Sequence, residues 1–100
     1  MKNIMVICET GITTSLLVTK LKELADKEET SMQINSKGTE EGLEYVKENS
    51  VDVVLLGPQI HHKTEEYQAS TDAEVLKISV NDYNNMNAYS IFEQLKDASS

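Results

Sequence analysis

The single cysteine of this chain, Cys8, closes an apolar run and is followed at once by Glu9, Thr10, Gly11, Ile12, Thr13, Thr14 and Ser15. A cysteine at the base of a loop that leads straight into a helix has its sulfur near the positive end of the helix dipole and near unpaired backbone amides. Both favour an anion, so the thiol pKa, ordinarily about 8.5, is expected to fall and the thiolate fraction to rise. Gly11 is free to turn successive amides inward as an anion nest, and Thr10, Thr13, Thr14 and Ser15 add hydroxyl donors. A phosphoryl group carried on sulfur fits such a loop as well as the attacking thiolate does. A strand-end cysteine alone is ordinary packing, because cysteine behaves as a small buried hydrophobe. The glycine and hydroxyls behind it are what point to chemistry.

Hydrophobic spacing predicts the elements that must hold this loop. Residues 3–8, NIMVIC, read as a buried strand, and residues 9–13 as the loop after it. Leu17, Leu21 and Leu24 recur at helical spacing, widened by Val18 and Ala25, and predict a helix capped by Thr13, Thr14 or Ser15. SMQINS at 31–36 alternates as an outer strand does, and TEEGLEYVKEN at 39–49 predicts a helix whose apolar side is Leu43 and Val46. VDVVLLG at 51–57 is a strongly apolar, nearly continuous run and suits a central strand buried on both faces, ended by Gly57-Pro58. A third helix is expected from near Ile60 toward Ala69, a fourth strand in EVLKISV at 74–80, and a last helix on Ala88, Ile91, Phe92 and Leu95. Strands separated by helices imply parallel pairing through right-handed crossovers. The predicted class is α/β, a doubly wound, four-stranded parallel sheet with helices on both faces. Ligands in such sheets bind outside the carboxyl ends of the strands, where strand order reverses. The loops after Cys8 and after Leu56 are expected to meet there.

A chain of 100 residues is expected to form one domain over 1–100. Its net charge of −8 repels phosphate backbones and anionic lipid, which argues against nucleic acid and membrane-surface partners and favours partners with basic faces. The apolar run after Met1-Lys2-Asn3 is too short for a signal peptide, and no stretch approaches the roughly 20 residues of a membrane span. A cytoplasmic location is expected. Adjacent His61 and His62 diverge on a helix with no third ligand close in sequence, so no metal site is expected.

CETGITTSLLV at 8–18 resembles the active-site segment of the IIB components of the bacterial phosphoenolpyruvate-dependent sugar phosphotransferase system (PTS), lactose/cellobiose/chitobiose class. DVVLLGPQI at 52–60 and, more weakly, DYNNMNAYSIFEQL at 82–95 extend the likeness over nearly the whole chain. The resemblance implies a flavodoxin-like fold with a phosphatase-like cysteine loop. It also implies that Cys8 accepts a phosphoryl group from a phosphohistidine on a IIA protein. That group then passes to a sugar such as cellobiose, lactose or chitobiose, bound by the membrane component IIC. Residues Glu9 to Ser15 would form the phosphate loop, and no metal or organic cofactor is implied. Two positions depart from the pattern. Glu9 puts a carboxylate where the family has small uncharged residues, which raises a thiol pKa and repels phosphate unless it points outward. Asn84 and Asn85 stand where glycine is common.

The second loop, GPQIHHKTEE, should face the cysteine loop, making Gln59, His61, His62 and Lys63 candidates to touch phosphate or the IIA partner. Both histidines read first as a solvated helix start. Two relatives of the same sheet compete. Low-molecular-weight tyrosine phosphatases need an arginine six residues after the cysteine to clamp the phosphoryl oxygens, and position 14 is threonine. A loop of amides and hydroxyls without arginine suits transfer better than hydrolysis. Flavodoxins hold the phosphate of FMN with a loop like TGITT, but they stack the flavin on aromatic residues, for which only Tyr67, Tyr83 and Tyr89 stand near the right edge. Glu28, Glu29, Glu40, Glu41, Glu44 and Glu48 are expected on solvated faces. Tyr45 reads as a partly buried helix residue, and Met86, Ile91 and Phe92 as core.

Overall fold

The computed structural model describes residues 2–8 and 11–99, without the side chains of residues 11–14 and 99. Strands β1 (Lys2–Ile7), β2 (Met32–Lys37), β3 (Val53–Leu56) and β4 (Glu74–Lys77) form one parallel sheet in the order β2-β1-β3-β4. Between them run helices α1 (Gly11–Lys27), α2 (Thr39–Glu48) and α3 (Thr64–Ser70), followed by α4 (Val80–Asn84) and α5 (Ala88–Ser99). The doubly wound sheet read from the sequence is the one observed.

Side-chain alternation divides the core. Ile4, Val6 and Cys8 of the first strand segment, with Val53 and Leu55 of β3, face Leu17, Val18, Leu21 and Leu24 of α1 and Ile91, Phe92 and Leu95 of α5. Met5, Ile7, Val54 and Leu56 point the other way, onto Val46 of α2 and Tyr67 of α3. The two central strands therefore bury both faces, which is why they read as continuous apolar runs. Glu28, Glu29, Glu40, Glu41, Glu44 and Glu48 are all exposed, Tyr45 is half-buried, and the α1 stripe is buried as its spacing requires. Among the described residues no helix is long and apolar enough to cross a membrane.

Among the boundaries that differ from expectation, four have a local reason. β3 begins at Val53, not 51, because the Asp52 side chain turns back to accept a hydrogen bond from the Asn3 amide at 2.8 Å. The third helix does not start at Ile60. Pro58 sets the first position of a 3-10 turn, Pro58–Lys63, in which Ile60 takes a non-helical φ of −125° and drops its side chain fully into the core. The α-helix proper follows at Thr64. β4 ends at Lys77, and Val80, read as strand, opens α4 instead: Ser79 Oγ accepts from the Asp82 amide at 3.0 Å and caps a five-residue helix. α1 begins at Gly11, so Gly11 to Thr13 are helical turn and not loop, and Thr13 to Ser15 lie inside the helix and do not cap it.

On the α2/α3 face, Gly42 allows close packing. A Cβ there would collide with the Ile7 side chain and stand 3.0 Å from the Tyr67 hydroxyl. Alanine would gain about 1 kcal/mol of helix propensity, but overpacking a filled core costs about 1–3 kcal/mol. Gly42→Ala is therefore expected to lower stability by about 1 kcal/mol, read as a reduced urea midpoint at unchanged m-value. Tyr67 is fully buried and its hydroxyl donates to Thr39 O at 2.6 Å. Burial, with a smaller contribution from the Glu66 charge, lifts its pKa from 10.0 to about 12. The fold thus holds this proton more tightly than the unfolded chain does, so the associated stability is complete below the unfolded value and is lost as pH climbs through the folded one. Urea midpoints should fall across that alkaline window, and Tyr67→Phe should fall less steeply than the parent.

Candidate active site

Strand order reverses between β1 and β3, and Cys8 stands at that point. Its amide donates to Lys37 O at 3.2 Å on one side, while the Gly57 amide donates to Ile7 O at 2.9 Å on the other, so sheet pairing continues past the strand ends and fixes both residues. Cys8 keeps the parity of Ile4 and Val6 and turns its sulfur toward the α1/α5 side, where 5% of the residue remains exposed. Gly57 leaves the room this sulfur occupies: a Cβ at position 57 would sit 3.0 Å from Sγ and 3.4 Å from Gln59 Oε1.

Two side chains from distant parts of the chain converge on the sulfur. The thiol can donate to Gln59 Oε1 at 3.6 Å, and the Tyr83 hydroxyl lies 3.3 Å from Sγ. Gln59 is aimed by the 3-10 turn, whose anchor is the buried Ile60 and whose closing bond runs from the Ile60 amide to Gly57 O at 3.1 Å. Tyr83 is aimed by α4, a helix too short to persist on propensity. Its support is side-chain capping: Ser79 at its start, and the Asp82 carboxylate, which accepts from Ser90 Oγ at 2.9 Å. Asn87 then caps α5, its Oδ1 accepting from the Ser90 amide at 3.3 Å. Between the two helices Met86 takes a left-handed φ of 50° that lets the chain reverse so tightly.

Of the residues singled out in the sequence, Cys8 and Gln59 are brought together. Glu9 and Thr10 lie outside the described residues. Gly11, Ile12, Thr13, Thr14 and Ser15 form the start of α1, where Gly11 is helical and no described glycine has a positive φ. The anion-nest geometry expected of Gly11 is thus replaced by a plain helix N-terminus, whose first amides lack intrahelical acceptors. Ser15 is exposed. His62 is exposed, as a solvated helix start requires, but His61 is not solvated in that way: its ring is half-buried and Nε2–H donates to Ile78 O at 2.8 Å, tying the 3-10 turn to the end of β4. Lys63 pairs with Glu66 at 3.6 Å. Sequence reasoning missed Tyr83 as a neighbour of the sulfur, weighing it only as a flavin platform. The signal was the Ser79-x-x-Asp82 cap directly after a strand, which starts a helix at the sheet's carboxyl edge.

Residues 3–94 match the family model for the PTS lactose/cellobiose-specific IIB subunit. The chain belongs to this family. It is 35% identical over 82 residues to the PTS oligo-β-mannoside-specific EIIB component of Bacillus subtilis, a match covering 82% of this chain and 78% of that protein. The solution structure of the cellobiose-specific phosphotransferase IIB component from Borrelia burgdorferi is similar, with a TM-score of 0.76, 26% identity, and coverage of 97% of this chain and 90% of that one. The lactose-specific IIB domain from Streptococcus pneumoniae shares the fold at a TM-score of 0.84 with 14% identity, over 99% of this chain and 98% of that one. The family match supports a phosphotransferase role for this IIB chain.

Gly57 has ordinary extended backbone angles, φ −64° and ψ 160°, so a substitution there acts through space and not through strain. Gly57→Ala should leave the fold intact at a cost of about 1 kcal/mol while crowding Sγ. Alkylation of Cys8 by iodoacetamide is expected to slow several-fold, measured against the same reaction in the parent chain.

Proposed function

We propose that residues 1–100 form a cytoplasmic IIB domain in which Cys8 carries a phosphoryl group from the phosphohistidine of a IIA protein to a sugar held by a membrane IIC component. The observation that carries this reading is the position of the lone cysteine: at the reversal of strand order, directly before α1, with space kept beside its sulfur by Gly57. In the first step the Cys8 thiolate attacks phosphorus in line. The S–P bond forms, the N–P bond breaks, and the electron pair returns to the imidazole nitrogen of IIA. In the second step a sugar hydroxyl attacks the same phosphorus, the O–P bond forms, the hydroxyl proton leaves to a base at the IIC site, and the pair from the broken S–P bond restores the thiolate. No metal or organic cofactor enters this scheme.

Residues Glu9 to Ser15 are the proposed phosphate loop, with the first amides of α1 as donors. Threonine at position 14, where a phosphatase has arginine, leaves the loop without a fixed cation to stabilise attack by water, so the phosphocysteine persists until an acceptor arrives. Gln59 and the exposed His62 are the proposed contacts with phosphate or IIA, while His61 supports them from its place on Ile78 O. The sugar belongs to the β-linked disaccharide class, such as cellobiose, lactose or chitobiose, to which the Bacillus subtilis relative adds oligo-β-mannosides. Flavin binding lacks support: Tyr67 and Tyr83 are buried, which leaves Tyr89 alone among the three as an exposed ring.

Incubation with phosphoenolpyruvate, enzyme I, the histidine phosphocarrier and a class-matched IIA should add one phosphoryl group to the chain. Peptide mapping should place it on Cys8, and Cys8→Ser should not form the phosphocysteine. The isolated phosphoprotein should outlast the transfer reaction; loss to water within seconds at neutral pH would end the relay reading.

A further inference from the structure

Tyr83 is 75 positions from Cys8 in the chain, yet its hydroxyl lies 3.3 Å from the sulfur. The residue is only 5% exposed. A buried tyrosine hydroxyl needs a polar partner, and a backbone carbonyl is the commonest choice. Here a partner is the one atom on the molecule expected to react. The placement is also built for it. A five-residue helix, capped by Ser79 and tied to α5 through Asp82 and Ser90, is too short to persist on propensity alone, and Tyr83 is its buried residue. Val80, on the same helix, is left 58% exposed.

The form of the sulfur fixes the direction of the bond. A thiolate has no proton to give, so opposite it only the phenol can donate. Tyr83 O–H then donates to a thiolate, a charge-assisted bond roughly twice as strong as a neutral one. In the protonated pair, the thiol instead donates to Gln59 Oε1. Burial disfavours the thiolate, and the phenol offsets that cost.

We propose that Tyr83 is the donor that stabilises the Cys8 thiolate, both before attack on the incoming phosphoryl group and when sulfur leaves in the transfer onward. This role in transfer rests on the relay reading above, whereas the thiol chemistry does not. When the S–P bond forms, the sulfur loses its charge and the phenol O–H is released to a phosphoryl oxygen. When the S–P bond breaks, the charge returns to sulfur and the donor with it. The other charged or titratable groups at this edge include Lys37 ending β2, Glu40 and Glu41 opening α2, His61, His62 and Lys63 on the 3-10 turn, Lys77 ending β4 and Asp82 on α4, with Glu9 next to the cysteine in the chain. Tyr83→Phe leaves all of them in place.

The test is the pH dependence of Cys8 alkylation by iodoacetamide in the whole chain, parent against Tyr83→Phe, with far-ultraviolet circular dichroism as the fold control. Removing the hydroxyl should move the profile up by about one pH unit and slow alkylation at neutral pH by about tenfold. Discharge of the phosphoprotein to acceptor should slow by a similar factor. Should Tyr83→Phe fail to fold, 3-fluorotyrosine placed at position 83 alone makes the phenol a stronger donor and should move the profile down. An unchanged profile in a folded Tyr83→Phe chain, or in the fluorotyrosine chain, overturns the proposal. Failure of the relay reading looks different: the parent chain takes up no phosphoryl group on Cys8 while the profile still shifts.

Discussion

The parallel pairing of β1 with β3 is the constraint on which the rest depends. Ile7 lies opposite Leu56, and the chain leaves the two strands from the same edge of the sheet. From β1 it continues into α1, on the face of Cys8; from β3 it turns through Pro58 toward α3, on the face of Ile7 and Leu56. Because these departures diverge to opposite faces, a crevice opens between them, and the residue after each strand borders it. Those residues are Cys8 and Gly57. A side chain on the second would crowd the sulfur of the first, so the reactive group and its space are specified by one pair of neighbouring strand ends.

The sulfur in that crevice faces opposing demands. Its place in the apolar cluster that also holds Leu17, Ile78 and Phe92 makes a dry setting that disfavours charge. The start of α1 and the Tyr83 hydroxyl favour it. A relay needs this balance, because its intermediate must resist water and still yield to an acceptor. In the proposed relay, apolar neighbours shield the sulfur, while polar groups at the rim favour the charge it carries before a bond to phosphorus forms and after one breaks. A hydrolase would place a fixed guanidinium in the loop; this chain places Thr14 at that position. Glu40, Glu41, Glu44 and Glu48 of α2, which contribute to the net charge of −8, are exposed to solvent.

What could be read in the sequence was what hydrophobic periodicity encodes. VDVVLLG announced a strand buried on both faces, and Leu17, Leu21 and Leu24 announced the face of α1, because burial of apolar surface against the sheet is what chiefly stabilises both. From the order of those elements the meeting of Cys8 with the loop after Leu56 followed. What could not be read was set by bonds between single polar atoms. Val80 extends the alternation of EVLKISV and looks like strand, but the Ser79 hydroxyl diverts the chain into a helix at that residue. Gln59, His61 and His62 looked alike as loop polar groups; only the fold distinguishes Gln59 on the sulfur, His61 on Ile78 O and His62 in solvent.

The same contrast explains how stability is distributed. The central strands and α1 have large apolar faces and would tolerate the loss of any one polar contact. The 3-10 turn and α4, which carry Gln59 and Tyr83, have one buried apolar anchor each at Ile60 and Tyr83 itself, and otherwise rest on single hydrogen bonds. Local opening should therefore begin in these two segments well before the sheet unfolds. In the proposed relay, a cysteine that meets a soluble protein and then a membrane-held sugar would need a rim that adapts to two different surfaces. Placing the sulfur on the rigid strand and its polar partners on weakly held segments satisfies both requirements, since the nucleophile stays fixed while the groups around it can move by the small distances that a phosphoryl group demands.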